Sequence, residues 1–219
     1  MNQNVWPGSS GVLKTQTPKI IAVVGGSGAG KSWLADKLRT ILGGNVTRLS
    51  LDDFYRDRSH LSEMRRKTIN FDHPRAIDWI EVERVLSRLA KGKTVRIPKY
   101  NFASHTRKTG QKLVKPKNYV VMDGLWLLQR RSLRGLFSCG IFVDCPQDVC
   151  LRRRITRDQK ERGRIPSEVR RQFLKDVVPM HQKFVIGQTR WADIVLKQLG
   201  AEDFSSLGKR LVKILEQDL

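Results

Sequence analysis

One octapeptide constrains this chain more than any other feature. Gly25-Gly26-Ser27-Gly28-Ala29-Gly30-Lys31-Ser32 fits the pattern GxxxxGK[ST] in full, and a chance match in a chain of this composition is on the order of 1%. Its surroundings fit as well. The apolar, β-branched run Lys19 to Gly25 (KIIAVVG) precedes it, and Ser32 to Leu42 follows with Leu34, Leu38, Ile41 and Leu42 at helical spacing. A buried strand, a glycine turn and a helix open a βαβ unit. The glycines let backbone N–H groups curl around phosphate oxygens, and the helix dipole adds positive potential there. Lys31 would reach the β and γ phosphates of a nucleoside triphosphate, and the Ser32 hydroxyl would coordinate Mg²⁺.

The rest of the chain continues the alternation. Strands are expected at Asn45 to Leu51, Tyr119 to Met122, Ile141 to Val143 and Ile194 to Leu196. Helices are expected across Ile77 to Leu89, from Pro146 to Arg162, from Ser167 to Ile186, and over Phe204 to Leu215. Residues 55 to 75 read as irregular, and the basic stretch Thr94 to Lys117, broken by Pro98, Gly110 and Pro116, as a small β excursion. The first eighteen residues show no periodicity and read as a flexible leader. The expected fold is therefore α/β: a three-layer αβα domain of the P-loop NTPase type over residues 19–219, with a mostly parallel sheet. A small β-hairpin excursion spans about residues 94–117, and a helical lid about residues 152–166.

Charge and cysteine content set further bounds. With 42 Lys plus Arg against 21 Asp plus Glu, the chain carries a formal net charge of +21 over 219 residues. The excess is spread along the chain, densest at Arg152, Arg153, Arg154, Arg157, Lys160, Arg162 and Arg164. Such a run suits a solvated helix face, a nucleic-acid surface or a clamp for phosphates. No apolar run approaches the roughly 18 residues of a membrane span. Cys139, Cys145 and Cys150 form no CxxC pair, so reduced thiols and a cytoplasmic location are expected. An Asn-Lys-x-Asp base-reading motif of the GTPase kind is absent from the sequence.

Three expected strands end on aspartates. Asp52 lies where α/β sheets place their ligands and is the candidate proton acceptor. Asp123 is the Walker-B-like candidate for holding Mg²⁺ beside Ser32, while Asp144 reads as structural.

Further motifs are spaced along the chain: Asp52-Asp53-Phe54-Tyr55, Asn70-Phe71-Asp72-His73-Pro74, Pro98-Lys99-Tyr100-Asn101-Phe102-Ala103-Ser104-His105-Thr106-Arg107, Asp123-Gly124, and Arg153-Arg154-Ile155-Thr156-Arg157-Asp158 closing with Glu161-Arg162-Gly163-Arg164. In this order they resemble the uridine/cytidine kinases of the phosphoribulokinase and uridine kinase group, from about Lys19 to Val195. The resemblance implies a kinase moving the γ-phosphate of ATP or GTP to the 5′-hydroxyl of uridine or cytidine. Asp52 matches the family's catalytic base, and Asp72, assisted by Arg154, its ribose-binding carboxylate. Tyr100 and His105 match the pair that bonds the pyrimidine edge, and Phe71 and Phe102 the aromatics around the base. Gln172 matches a further substrate-side glutamine, and Arg157, Arg162 and Arg164 match lid arginines on the ATP phosphates. The family commonly has Glu-Gly where this chain has Asp123-Gly124. A homo-oligomer, often a tetramer, is also implied. Two rivals stand beside this reading: a kinase of the same group acting on a sugar phosphate, and a nucleic-acid-binding ATPase suggested by the charge.

Overall fold

The computed structural model describes residues 17–197 and 204–217. All but the last two residues of the expected leader lie outside the described residues. Five parallel strands form the central sheet in the order β2-β7-β1-β8-β9. They are β1 (Lys19–Gly25), β2 (Val46–Ser50), β7 (Tyr119–Gly124), β8 (Cys139–Asp144) and β9 (Ile194–Lys197). The chain runs from β1 out to β2, returns to β7 on one side of β1, and then crosses to β8 on the other. The C-terminal end of β1 is thus the point where the strand order reverses, which is where open α/β sheets bind ligands.

Both faces of the sheet are covered, which explains why its strands are nearly continuous apolar runs. Side chains alternate along a strand with period two. Ile20, Ala22, Val24, Leu49, Met122 and Phe142 meet Val82, Val85, Leu86 and Leu89 of α3 (Trp79–Ala90). Ile21, Val23, Val121, Ile141 and Val143 face Leu34 and Leu38 of α1 (Lys31–Ile41), and Leu207, Leu211 and Leu215 of α8 (Phe204–Gln217). Cys139, Cys145 and Cys150 are buried and outside any disulfide, and no described helix is long and apolar enough to cross a membrane.

Several elements differ from the sequence expectation for local reasons. β2 stops at Ser50, because the Ser50 side chain accepts a hydrogen bond from the Asp52 amide (3.3 Å) and turns the chain into a 3₁₀ segment, Leu51–Phe54. The irregular stretch holds one short helix, α2 (Glu63–Lys67), and a second short helix, α4 (Arg131–Arg134), precedes β8. The excursion consists of two antiparallel pairs, β3 (Val95–Ile97) with β6 (Lys112–Val114), and β4 (Tyr100–Asn101) with β5 (Thr106–Arg107). α5 (Gln147–Arg162) stops at Gly163, which is left-handed at φ 62° and donates its amide to the Asp158 carbonyl.

The helix expected over Ser167 to Ile186 is composite. It comprises α6 (Pro166–Gln172), a π turn (Phe173–Val177), α7 (Val178–Met180), a second π turn (His181–Val185) and a 3₁₀ segment (Ile186–Trp191). Pro179 sits between the two π turns; it has no N–H to donate, so the hydrogen-bonding register widens around it.

Gly124 closes β7 where a side chain has no room. A Cβ there would lie 2.6 Å from the Leu51 Cβ, in the segment that carries Asp52. Gly124→Ala is therefore expected to destabilise the fold by about 1–3 kcal/mol through overpacking. Urea denaturation reads this directly; an unchanged midpoint would contradict the packing argument.

Candidate active site

The phosphate loop hangs between the end of β1 and the start of α1, and its glycines are dictated by close approach. Gly28 is left-handed at φ 84°, and a Cβ on it would come within 2.4 Å of the Cys150 carbonyl oxygen. Gly30, at φ 98°, is the residue from which α1 departs. Lys31 donates from Nζ to the Gly26 carbonyl at 2.8 Å, which folds its ammonium back over the loop. Burial pulls its pKa down, and the carboxylates of Asp123 and Asp52 pull it back up. Ser27 accepts from Arg154 Nη1 at 3.1 Å, and the Ala29 carbonyl accepts from Arg153 Nη1 at 3.2 Å. The loop is thus tied to α5 along its outer rim, while Gly25 and Gly26 join it to β1.

Two carboxylates reach the same mouth. Ser32 Oγ donates to Asp123 Oδ2 at 2.9 Å, so the two residues expected at a metal ion are in contact. The other oxygen, Asp123 Oδ1, is buried without a hydrogen-bond partner. One hydroxyl, one carboxylate and an open lone pair suit a magnesium ion, which takes few protein ligands and completes its shell with water and phosphate. Asp52 stands on the 3₁₀ turn across from them. Burial pushes its pKa above the ordinary 3.8, the Lys31 ammonium pulls it down, and Asp123 pushes it up again. Arg157 and Arg162 also lower it, so the candidate proton acceptor sits among the residues expected to hold phosphates.

The acceptor side is an aromatic box beside a buried ion pair. Phe71 and His105 stack with ring centroids 4.3 Å apart and an interplanar angle of 11°. Tyr55 packs against Phe71, Tyr100 and Phe102 at 5.8, 5.0 and 6.1 Å. His105 is held at φ 54°, the one positive value for a non-glycine among the described residues. Tyr100 Oη and His105 Nδ1 are both buried without a hydrogen-bond partner. Burial pushes the Tyr100 hydroxyl up to about 12 and pulls the His105 imidazole down, with Arg162 and Arg66 adding to the latter. Both groups are therefore neutral at pH 7, able to exchange hydrogen bonds without carrying charge. Asp72 lies next door, its amide bonded to Asn70 Oδ1 and its carboxylate 3.4 Å from Arg154 Nη1.

The basic run resolves into a cluster of arginines, the expected lid, organised on one carboxylate. Asp158 is fully buried and faces four guanidinium groups. Arg157 donates Nε and Nη2 to its Oδ1 at 2.9 and 2.8 Å. Arg162 lies 3.6 Å from the same oxygen, and Arg164 and Arg154 lie 3.5 and 3.7 Å from Oδ2. Gln172 Oε1 accepts from Arg164 at 2.6 Å and from Arg154 at 3.2 Å, bracing the lid against α6. Arg162 also covers the Phe102 ring, with its guanidinium carbon 4.7 Å from the centroid, so one lid residue touches the acceptor box. Arg152, by contrast, pairs with Asp148 on the exposed face of α5.

These contacts join the phosphate loop, Asp72, Gln172 and the arginines Arg154, Arg157, Arg162 and Arg164, while Ser32 bonds Asp123 and Arg162 touches the aromatic box. Arg152 and Asp144 lie on exposed surface. Three residues escaped attention. Asp158 gathers four guanidinium groups, and Tyr55 packs against three rings of the box. Arg107 anchors the excursion, donating to the Tyr55 carbonyl, Glu81 and Asp78 at 3.0, 2.9 and 3.2 Å. All three stand inside the motifs quoted above.

A profile described as the phosphoribulokinase / uridine kinase family matches residues 20–205. The chain belongs to that family. Among curated relatives, a uridine kinase of Brevibacillus brevis is 39% identical over 184 residues, covering 84% of this chain and 86% of its own length. A uridine kinase of Deinococcus deserti is 38% identical over 187 residues, covering 85% and 90%. Solved structures extend the likeness of fold. Phosphoribulokinase from Rhodobacter spheroides aligns with a TM-score of 0.63 at 19% identity, covering 86% of this chain and 73% of that one. A D-glycerate 3-kinase from Cryptococcus neoformans gives 0.58 at 17% identity, covering 77% and 79%. Kinases named for different acceptors thus share this fold.

Removing the Asp158 charge would leave four guanidinium groups facing one another. Asp158→Asn is expected to cost about 3 kcal/mol or more of stability, whereas Asp148→Asn, on an exposed pair, should cost under about 1 kcal/mol. Guanidinium denaturation of the two variants compares them; equal effects would show that Asp158 does not organise the lid.

Proposed function

We propose that this chain is a uridine kinase, transferring the γ-phosphate of ATP or GTP to the 5′-hydroxyl of uridine or cytidine. The observation that carries the choice of acceptor is the pair of buried, unpartnered polar atoms, Tyr100 Oη and His105 Nδ1, inside the Phe71, Phe102 and Tyr55 box. A planar base that supplies edge hydrogen bonds satisfies both atoms, whereas a sugar phosphate leaves them buried and unpaired. The names of the curated relatives support the same reading.

The roles follow from position. Lys31 and the loop amides hold the β and γ phosphates, and Arg157, Arg162 and Arg164 turn from Asp158 toward the triphosphate when it brings stronger negative charge. Ser32 and Asp123 would hold Mg²⁺, which when bound would offset the negative charge of the phosphates. Asp72, braced by Arg154, accepts hydrogen bonds from the vicinal ribose hydroxyls, and Gln172 holds Arg154 and Arg164 in place. Asp52 takes the proton of the 5′-hydroxyl as its oxygen attacks the γ phosphorus and the nucleoside diphosphate departs. Closure of the lid over the Phe102 side keeps water from competing as acceptor.

A base with a raised pKa fixes the sign of the pH dependence. Asp52 is competent only when ionised, so turnover should be lost as the pH falls through a value above 3.8. Stability runs the other way, because ionising a buried aspartate of raised pKa disfavours the folded state. Asp52→Asn should therefore lower kcat by roughly 10²–10⁴, abolish that acidic limb, and leave stability unchanged or higher. Retained turnover in this variant would contradict the assignment.

The acceptor is tested by ADP release with Mg-ATP and a panel of uridine, cytidine, adenosine, ribulose 5-phosphate and an RNA oligomer. Uridine and cytidine should stimulate release. Stimulation by the sugar phosphate or the polymer alone would overturn the reading.

A further inference from the structure

We propose that Arg48 is a positioning residue for the carboxylate of Asp123, held in place by Asp36. The proposal rests on the reading of Asp123 as the metal-holding carboxylate. Arg48 lies on β2, the edge strand beside β7 in the central sheet, opposite Val121 and two positions before the residue facing Asp123. Its guanidinium divides between two acids: Nη1 donates to Asp36, and Nη2 lies 3.6 Å from Asp123 Oδ1. Asp36 is one helical turn beyond Ser32 on α1, so both project from one side of the helix. Ser32 in turn donates to Asp123 Oδ2 at 2.9 Å. With the α1 backbone linking Ser32 and Asp36, the contacts close a ring in which each oxygen of Asp123 faces a different partner.

The ring orients Asp123 without consuming it. At 3.6 Å, Arg48 attracts Oδ1 but makes no hydrogen bond to it, and that oxygen keeps an unpartnered lone pair although Asp123 is only 5% exposed. Asp36 neutralises Arg48 from the solvent side, so the pair adds little net positive charge next to a cation site. The fork of a guanidinium is what allows one side chain to face two carboxylates at once; an ammonium is a point charge. Partners that fix a ligating side chain in this way are worth about 10- to 100-fold in metal affinity, whereas an exposed arginine pair with no such role is worth almost nothing.

The test separates metal binding from nucleotide binding by thermal shift. The full-length protein is melted with a non-hydrolysable ATP analogue, first without divalent cation and then across a Mg²⁺ titration. Arg48→Met should raise the half-saturating Mg²⁺ concentration roughly tenfold, leave the metal-free nucleotide shift at the wild-type value, and barely alter the melting of the ligand-free protein. Arg48→Lys should recover part of the loss. Asp36→Asn frees Arg48 to compete for Asp123 and should also raise the Mg²⁺ requirement, which keeps the comparison available if Arg48→Met fails to fold. A Mg²⁺ requirement unchanged or lowered in Arg48→Met and Asp36→Asn would overturn the proposal. Asp123→Asn distinguishes the layers: if it too leaves the Mg²⁺ response intact, the metal reading of Asp123 has failed, and if it alone abolishes the response, only the role of Arg48 has.

Discussion

One buried guanidinium ties the phosphate loop to the segments beside it. Arg154, only 5% exposed, faces Ser27 of the phosphate loop, Asp72 of the acceptor loop, Gln172 of α6 and Asp158 of the lid. A charge this deep is tolerated only when it is paired and hydrogen-bonded, so the phosphate loop, the Asp72 loop and α6 must keep their positions around α5 for the fold to hold it. The result is mechanical as well as electrostatic. The phosphate loop, the Asp72 loop, α5 and α6 meet at one fork.

The large positive charge takes on meaning around this fork. In the ligand-free protein, Arg157, Arg162, Arg164 and Arg154 share one carboxylate, Asp158, in place of the several negative charges that a triphosphate would bring. A buried aspartate here keeps like charges together without their being driven apart. These residues with Lys31 are still a minority of the 42 cations, and several of the others have protein partners of their own, such as Arg107 on Asp78 and Glu81 and Arg153 on the Ala29 carbonyl.

How much of this was legible in the sequence depended on how local the determining physics was. β1, the glycine turn and α1 could be read almost to the residue, because burial on both sheet faces and left-handed backbone leave direct marks in the choice of side chain. Asp52 and Asp123 could be found because strand ends in a parallel sheet converge. The π turns around Pro179 could not, since one proline is equally compatible with a kink, a break or a widened register. Asp158, Tyr55 and Arg107 escaped for a different reason: their tasks are toward other protein side chains distant in sequence, and no spacing rule reports such a contact. The same holds for Arg48, whose partners Asp36 and Asp123 come from α1 and β7.

The account stands on the identity of the oxygen that receives the phosphate. ³¹P NMR of the products formed from Mg-ATP, with uridine and separately with 5′-deoxyuridine, examines that oxygen directly. Uridine should give a single new resonance, that of its 5′-monophosphate, while 5′-deoxyuridine should compete with uridine for the site and yield no nucleotide. A phosphate on the 2′- or 3′-oxygen, or ADP and inorganic phosphate without any nucleoside product, would contradict it.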